Sequence, residues 1–118
     1  MSATGEETEI ELEPEQVERW LREQPELQVI DVRESYEREA GYIAGTLHIA
    51  LGELSSAAES VERERPVVFY CRVGRRSLMA AQAFRASGFE AYTMSGGLVR
   101  WVDEGRPLEP ADGRVAEH

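Results

Sequence analysis

The chain has 118 residues, 42% of them hydrophobic, and a single cysteine, so it fits one domain with a real core and cannot form an internal disulfide. Its formal net charge is −10, with 13 arginines and no lysine, a balance that repels nucleic-acid phosphates and anionic membranes. No run approaches the roughly 18 apolar residues that span a bilayer. The stretch Met1 to Glu13 lacks the basic and apolar regions of a secretory leader, so a cytoplasmic location is expected.

Residues 1–8 are polar and without period, and are expected to form a tail. Ile10 and Leu12 alternate with glutamates as in a short strand. Pro14 suits a first helical position, and Val17, Trp20 and Leu21 fall on one face of the helix that follows. Leu27 to Val32 reads as a strand, and Ser35 to Ala40 as a short helix ended by Gly41. Thr46 to Leu51 is a further strand and Leu54 to Val61 a weak helix.

Pro66 opens the clearest strand, Val67-Val68-Phe69-Tyr70, which is short and continuously apolar, as in a strand covered on both faces. Ser77 to Ala86 is predicted helical, with Ser77 as its cap. Gly88 at the left-handed position beyond its end should bring Phe89 back onto Phe84. Ala91 to Met94 forms another strand. Gly96-Gly97 turns the chain into a last helix with Leu98, Trp101 and Val102 on one face, ended by Gly105 and Pro107. Strands alternating with helices predict an α/β domain over 9–108, a central mostly parallel sheet with helices on both faces, and a polar tail over 109–118.

The segment carrying chemistry is Cys71-Arg72-Val73-Gly74-Arg75-Arg76-Ser77. It follows the most buried strand and precedes a helix, the place where open α/β sheets bind ligands. A tight loop there can aim backbone N–H groups at the cysteine sulfur, with Gly74 allowing a conformation that a side chain would block. Arg72, Arg75 and Arg76 favour the anionic thiolate and attract an anionic substrate to a basic island on an acidic protein. A nucleophilic cysteine follows from this reading. The same residues also fit an inert buried thiol beside a solvated basic face. Cations at a helix start oppose its dipole, however, and that placement favours an anion-binding purpose.

The loop resembles the C-x-x-G-x-R-S active-site segment of rhodanese-like domains. Upstream, Asp31-Val32-Arg33, Glu37, Gly41-Tyr42-Ile43, Gly45 and His48-Ile49 are similar to the family's D-V-R and G-H-I-x-G signature, and Gly96-Gly97, Trp101, Gly105 and Pro107 to its ending. The resemblance spans roughly residues 8 to 109. It implies a sulfurtransferase in which Cys71 carries a persulfide and Arg72, Val73, Gly74, Arg75, Arg76 and Ser77 form the substrate cradle. It also implies a small anionic donor such as thiosulfate, a sulfur donor or acceptor protein as a further partner, and no cofactor or metal. Asp31 and Arg33 are assigned a supporting role. Glu37 and Glu39 are expected to face solvent.

Tyr42 stands where the family usually has histidine, and His48 where it has asparagine. His48 is read as a structural residue bonded to nearby backbone rather than as a base. Two rivals remain: a persulfide carrier or sensing module, and a phosphatase. Related phosphatases use a C-x5-R loop, but the sixth residue after Cys71 is Ser77, and Arg76 comes one position early.

Overall fold

The computed structural model describes residues 9–117, so the expected tail over 1–8 and the terminal His118 lie outside the described residues. Five strands form one parallel sheet in the order β1-β5-β4-β2-β3: β1 (Glu11–Leu12), β2 (Gln28–Asp31), β3 (Leu47–His48), β4 (Val67–Tyr70) and β5 (Ala91–Met94). The helices are α1 (Pro14–Glu23), α2 (Ser35–Ala40), α3 (Leu54–Ala57), α4 (Arg75–Ala86) and α5 (Gly97–Asp103), with 3-10 turns on either side of α3. Among the described residues no helix is long and apolar enough to cross a membrane.

β4 lies at the centre because all four of its side chains are buried, as its unbroken apolar run requires. Successive residues point to opposite faces. Val67, Phe69 and Cys71 therefore join Ile30, Ala80 and Phe84 in one core, while Val68 and Tyr70 join Val17, Met94, Leu98 and Trp101 in the other. Cys71 thus faces the layer built by α3 and α4.

α1 starts at Pro14 and buries Val17 completely, with Trp20 packed edge-on to Tyr92 at 5.5 Å. The strand expected over 46–51 shrinks to two residues, although Ile49 and Leu51 still donate to the carbonyls of Asp31 and Val32. Gly88 has φ 95°, and the Phe89 N–H reaches the Phe84 carbonyl at 3.0 Å with their rings 4.7 Å apart, as predicted. On α5 the buried face is narrower than expected: Leu98 and Trp101 are buried, but Val102 is 38% exposed.

The segment after Pro107, polar in composition, lies along the domain. Tyr42 and Glu109 exchange backbone hydrogen bonds, the Arg114 N–H donates to the Ala40 carbonyl, and Ala116 is buried. Gly41 is needed where this segment crosses, since a Cβ there would lie 2.6 Å from the Arg114 carbonyl oxygen.

Tyr70 ties the other face together. Its hydroxyl accepts the Ile43 N–H at 3.1 Å and lies 3.1 Å from the Thr46 hydroxyl, which itself donates to the Ile43 carbonyl. Burial, reinforced by the charge of Asp31, pushes the Tyr70 phenol up to about 12. An unfolded tyrosine ionises near pH 10, so over that interval the folded chain holds the extra proton and stability falls as pH rises. We expect roughly 2–3 kcal/mol to be lost between about pH 10 and 12 through this group. Denaturant unfolding of parent and Tyr70→Phe at stepped pH checks it, since the variant should lose less over that window; equal losses would refute the assignment.

Candidate active site

The loop from Cys71 to Gly74 joins the central strand to α4. Cys71 is 1% exposed, and its sulfur receives the N–H groups of Gly74 at 3.1 Å and Ser77 at 3.4 Å, with the Ser77 hydroxyl also at 3.4 Å. Thr93 donates its hydroxyl proton to Ser77 Oγ at 2.6 Å, which leaves the Ser77 proton free to point at sulfur. Three donors thus converge on one sulfur atom, an arrangement suited to negative charge there.

Two glycines shape this cradle. Gly74 has φ 104°, a left-handed conformation that side chains disfavour, and it caps α4 through its carbonyl to the Leu78 N–H. The helix therefore begins at Arg75, two residues earlier than predicted, and Ser77 is a buried residue inside its first turn rather than the cap. Gly97 lies against the loop, since a Cβ there would meet the carbonyls of Arg72 and Cys71, the latter oxygen at 2.7 Å. That close approach lets the first turn of α5 donate from Leu98 to the Cys71 carbonyl at 2.8 Å and from Val99 to the Arg72 carbonyl at 3.0 Å. With those carbonyls turned toward α5, trans peptide geometry turns the N–H groups of Arg72 and Val73 the opposite way.

The three arginines of the loop have different surroundings. Arg72 is half-buried and donates to the Ala116 carbonyl at 3.2 Å. Arg75 is exposed, as is Val73. Arg76 grips the Glu37 carboxylate through both terminal nitrogens, at 2.8 and 3.0 Å. Those hydrogen bonds raise the Arg76 pKa further above its ordinary value, so it stays cationic.

Glu37 corrects the expectation that it faces solvent, for it is fully buried. Its Oε2 also accepts the Glu34 N–H at 2.9 Å, which turns the carboxylate back over the start of α2 and toward Arg76. The Glu34-x-x-Glu37 spacing is a capping-box pattern and was the available signal. Glu39 is exposed.

Asp31 and Arg33 form a fully buried ion pair. Asp31 accepts the Arg33 backbone N–H at 3.0 Å, Nε at 2.8 Å and Nη2 at 2.7 Å, and Arg33 Nη2 also donates to the Gly41 carbonyl. Burial works to lower the Arg33 pKa, but the hydrogen bonds and charge of Asp31 outweigh it, and the net direction is upward. Arg33 Nη1 is buried without a hydrogen-bond partner among the described residues. His48 donates from Nε2 to the Arg33 carbonyl at 2.7 Å, the backbone contact expected of it. Asp31 pairs with Tyr70 across the sheet, so this network supports the residue that immediately precedes Cys71.

A groove of about 820 Å³ lies between α4 and the 51–64 segment, but no residue of 71–77 lines it. The cysteine loop and the groove are therefore separate features of the surface. No three His, Cys, Asp or Glu among the described residues are grouped to hold a metal.

Comparison with known proteins agrees with this fold. The family model described as the rhodanese-like domain matches residues 13–104. The thiosulfate sulfurtransferase GlpE of Coxiella burnetii is 33% identical over 87 residues, covering 72% of this chain and 81% of that protein. YtwF of Bacillus subtilis is 34% identical over 82 residues, 70% of this chain and 80% of its own length. Among solved structures, a rhodanese-related protein from Thermoplasma volcanium superposes with a TM-score of 0.77 at 26% identity, covering 83% of this chain and 95% of that one.

Proposed function

Because the chain belongs to the rhodanese-like domain family, with relatives named as sulfurtransferases, we propose that it moves a sulfane sulfur from thiosulfate or a similar anion to a thiophilic acceptor through a persulfide on Cys71. The observation that carries this reading is the convergence of Gly74 N–H, Ser77 N–H and the Ser77 hydroxyl on the Cys71 sulfur. In the first half-reaction the Cys71 thiolate attacks the outer sulfur of thiosulfate. A new S–S bond forms, the donor S–S bond breaks, and sulfite leaves with the electron pair. In the second, the acceptor attacks the terminal sulfur and the pair returns to Cys71, which leaves as thiolate toward the waiting donors. The cycle is redox-neutral and calls for no cofactor. A lone reduced thiol suits the cytoplasm.

Thiosulfate-treated protein should be heavier by one sulfur atom, and cyanide should remove that atom and release thiocyanate. If the protein gained no mass and released no thiocyanate, the reading would fall, whereas ready loading with poor turnover would make the chain a carrier in a relay. The phosphatase alternative is disfavoured by the short loop and by the hold of Glu37 on Arg76.

Arg75 and Arg76 separate donor capture from architecture. Arg75→Ala should raise KM for thiosulfate by roughly tenfold with the melting temperature unchanged, because an exposed cation acts on encounter with the anion. Arg76→Ala removes a two-point ion pair from the buried Glu37 carboxylate and should cost about 2 kcal/mol of stability. Steady-state kinetics beside thermal unfolding distinguishes the two, and equal effects from both substitutions would contradict the division.

A further inference from the structure

We infer that Thr93 is a positioning residue for the sulfur chemistry, acting through Ser77 to hold a hydroxyl proton on the Cys71 sulfur; this rests on the sulfurtransferase reading above. Thr93 lies on β5, opposite Phe69 of β4, and is 1% exposed. Its backbone is held from both sides: it pairs with Phe69 on one flank and with Glu11 on the other, where its N–H reaches the Ile10 carbonyl at 2.8 Å. A β-branched side chain on a backbone so fixed has little χ1 freedom, so its hydroxyl direction is set by the sheet.

That hydroxyl donates to Ser77 Oγ at 2.6 Å, and Ser77 Oγ lies 3.4 Å from Cys71 Sγ. Ser77 has one proton to give. Left to itself, a serine inside a helix turns that proton toward a backbone carbonyl three or four residues back. By occupying the Ser77 oxygen as acceptor, Thr93 restricts this rotation and directs the proton toward sulfur. A hydroxyl that accepts a hydrogen bond is also a stronger donor in its turn.

The sulfur bears full negative charge twice in the cycle: before it attacks the donor, and again when the persulfide is discharged and Cys71 departs as thiolate. Thr93 should therefore matter at low pH for loading and at any pH for discharge. A residue that only packed the core would produce neither pattern.

The test uses Thr93→Val, which removes the hydroxyl with little change of shape, and Thr93→Ser, which restores it. Iodoacetamide alkylation of Cys71 is followed against pH, and discharge of preloaded persulfide by cyanide is timed separately. In Thr93→Val the alkylation profile should move toward alkaline pH by about half a unit and discharge should slow about fivefold, the size expected for one displaced hydrogen bond to a charged atom. Thr93→Ser should recover most of both. In a Ser77→Ala background the Thr93→Val substitution should have almost no further effect, since the two residues act in series.

An unmoved alkylation profile in a folded Thr93→Val protein would overturn the assignment, as would an undiminished Thr93 effect when Ser77 is alanine. Alkylation reads Cys71 without any sulfur transfer. A protein that shows the profile shift but never loads sulfur would therefore overturn the proposed reaction and leave the hydroxyl pair standing.

Discussion

The Cys71→Ser protein is expected to fold and to release thiocyanate from thiosulfate and cyanide no faster than the uncatalysed background, a loss of at least about a thousandfold. The substitution is small: the side chain is 1% exposed, and the Gly74 and Ser77 donors that meet the sulfur can meet an oxygen instead. Burying the extra polarity with those partners in place should cost no more than about 1 kcal/mol. Reactivity is a different matter. A serine hydroxyl does not ionise at neutral pH, and its oxygen cannot hold a transferable sulfur as a persulfide does. Thiocyanate release and intact mass after thiosulfate treatment are the measurements. Catalysis retained in the variant would show that sulfur passes directly from donor to acceptor, bound by the loop but not carried by it.

The position of that cysteine was legible because one simple cause dominates it. Val67 to Tyr70 is apolar at every residue, as suits a central parallel strand covered on both faces, and the loop after such a strand is where a site forms. The onset of α4 was misplaced because Ser77 carries a good capping side chain, whereas the structure caps with Gly74 through a left-handed backbone that no side-chain pattern announces. Glu37 was misread for a related reason: a glutamate on a short helix looks solvated until the partner that buries it, Arg76, is known to lie alongside. Thr93 was invisible, since its importance comes from strand register, and register between β4 and β5 is not written in either strand alone. The segment after Glu109 is held by backbone hydrogen bonds at Tyr42 and Ala40, and such bonds leave no signature in composition.

The largest stability loss is expected from Asp31→Ala, about 3–5 kcal/mol, because it removes the anion from a pair that is buried on both sides. Arg33 would keep its bond to the Gly41 carbonyl but lose three hydrogen bonds to the carboxylate, one of them from its own backbone N–H. Burial already works against the Arg33 charge, and Asp31 is the main influence that outweighs it. Because Arg33 Nη1 has no hydrogen-bond partner among the described residues to begin with, little local hydrogen bonding is available to compensate. Asp31→Asn retains shape and one acceptor, so it should cost less than the alanine variant but clearly more than nothing. Replacing both members together, as Asp31→Leu with Arg33→Met, should recover stability relative to Asp31→Ala, since no buried charge is then left alone. Denaturant unfolding of the four proteins decides the matter. If the double replacement were less stable than Asp31→Ala, the cost would lie in lost packing and hydrogen bonds rather than in the stranded guanidinium. The same series read by thiocyanate release tests how far the pair reaches: Asp31 is paired with Tyr70, one residue before Cys71, so residual activity should fall with the stability of this strand junction.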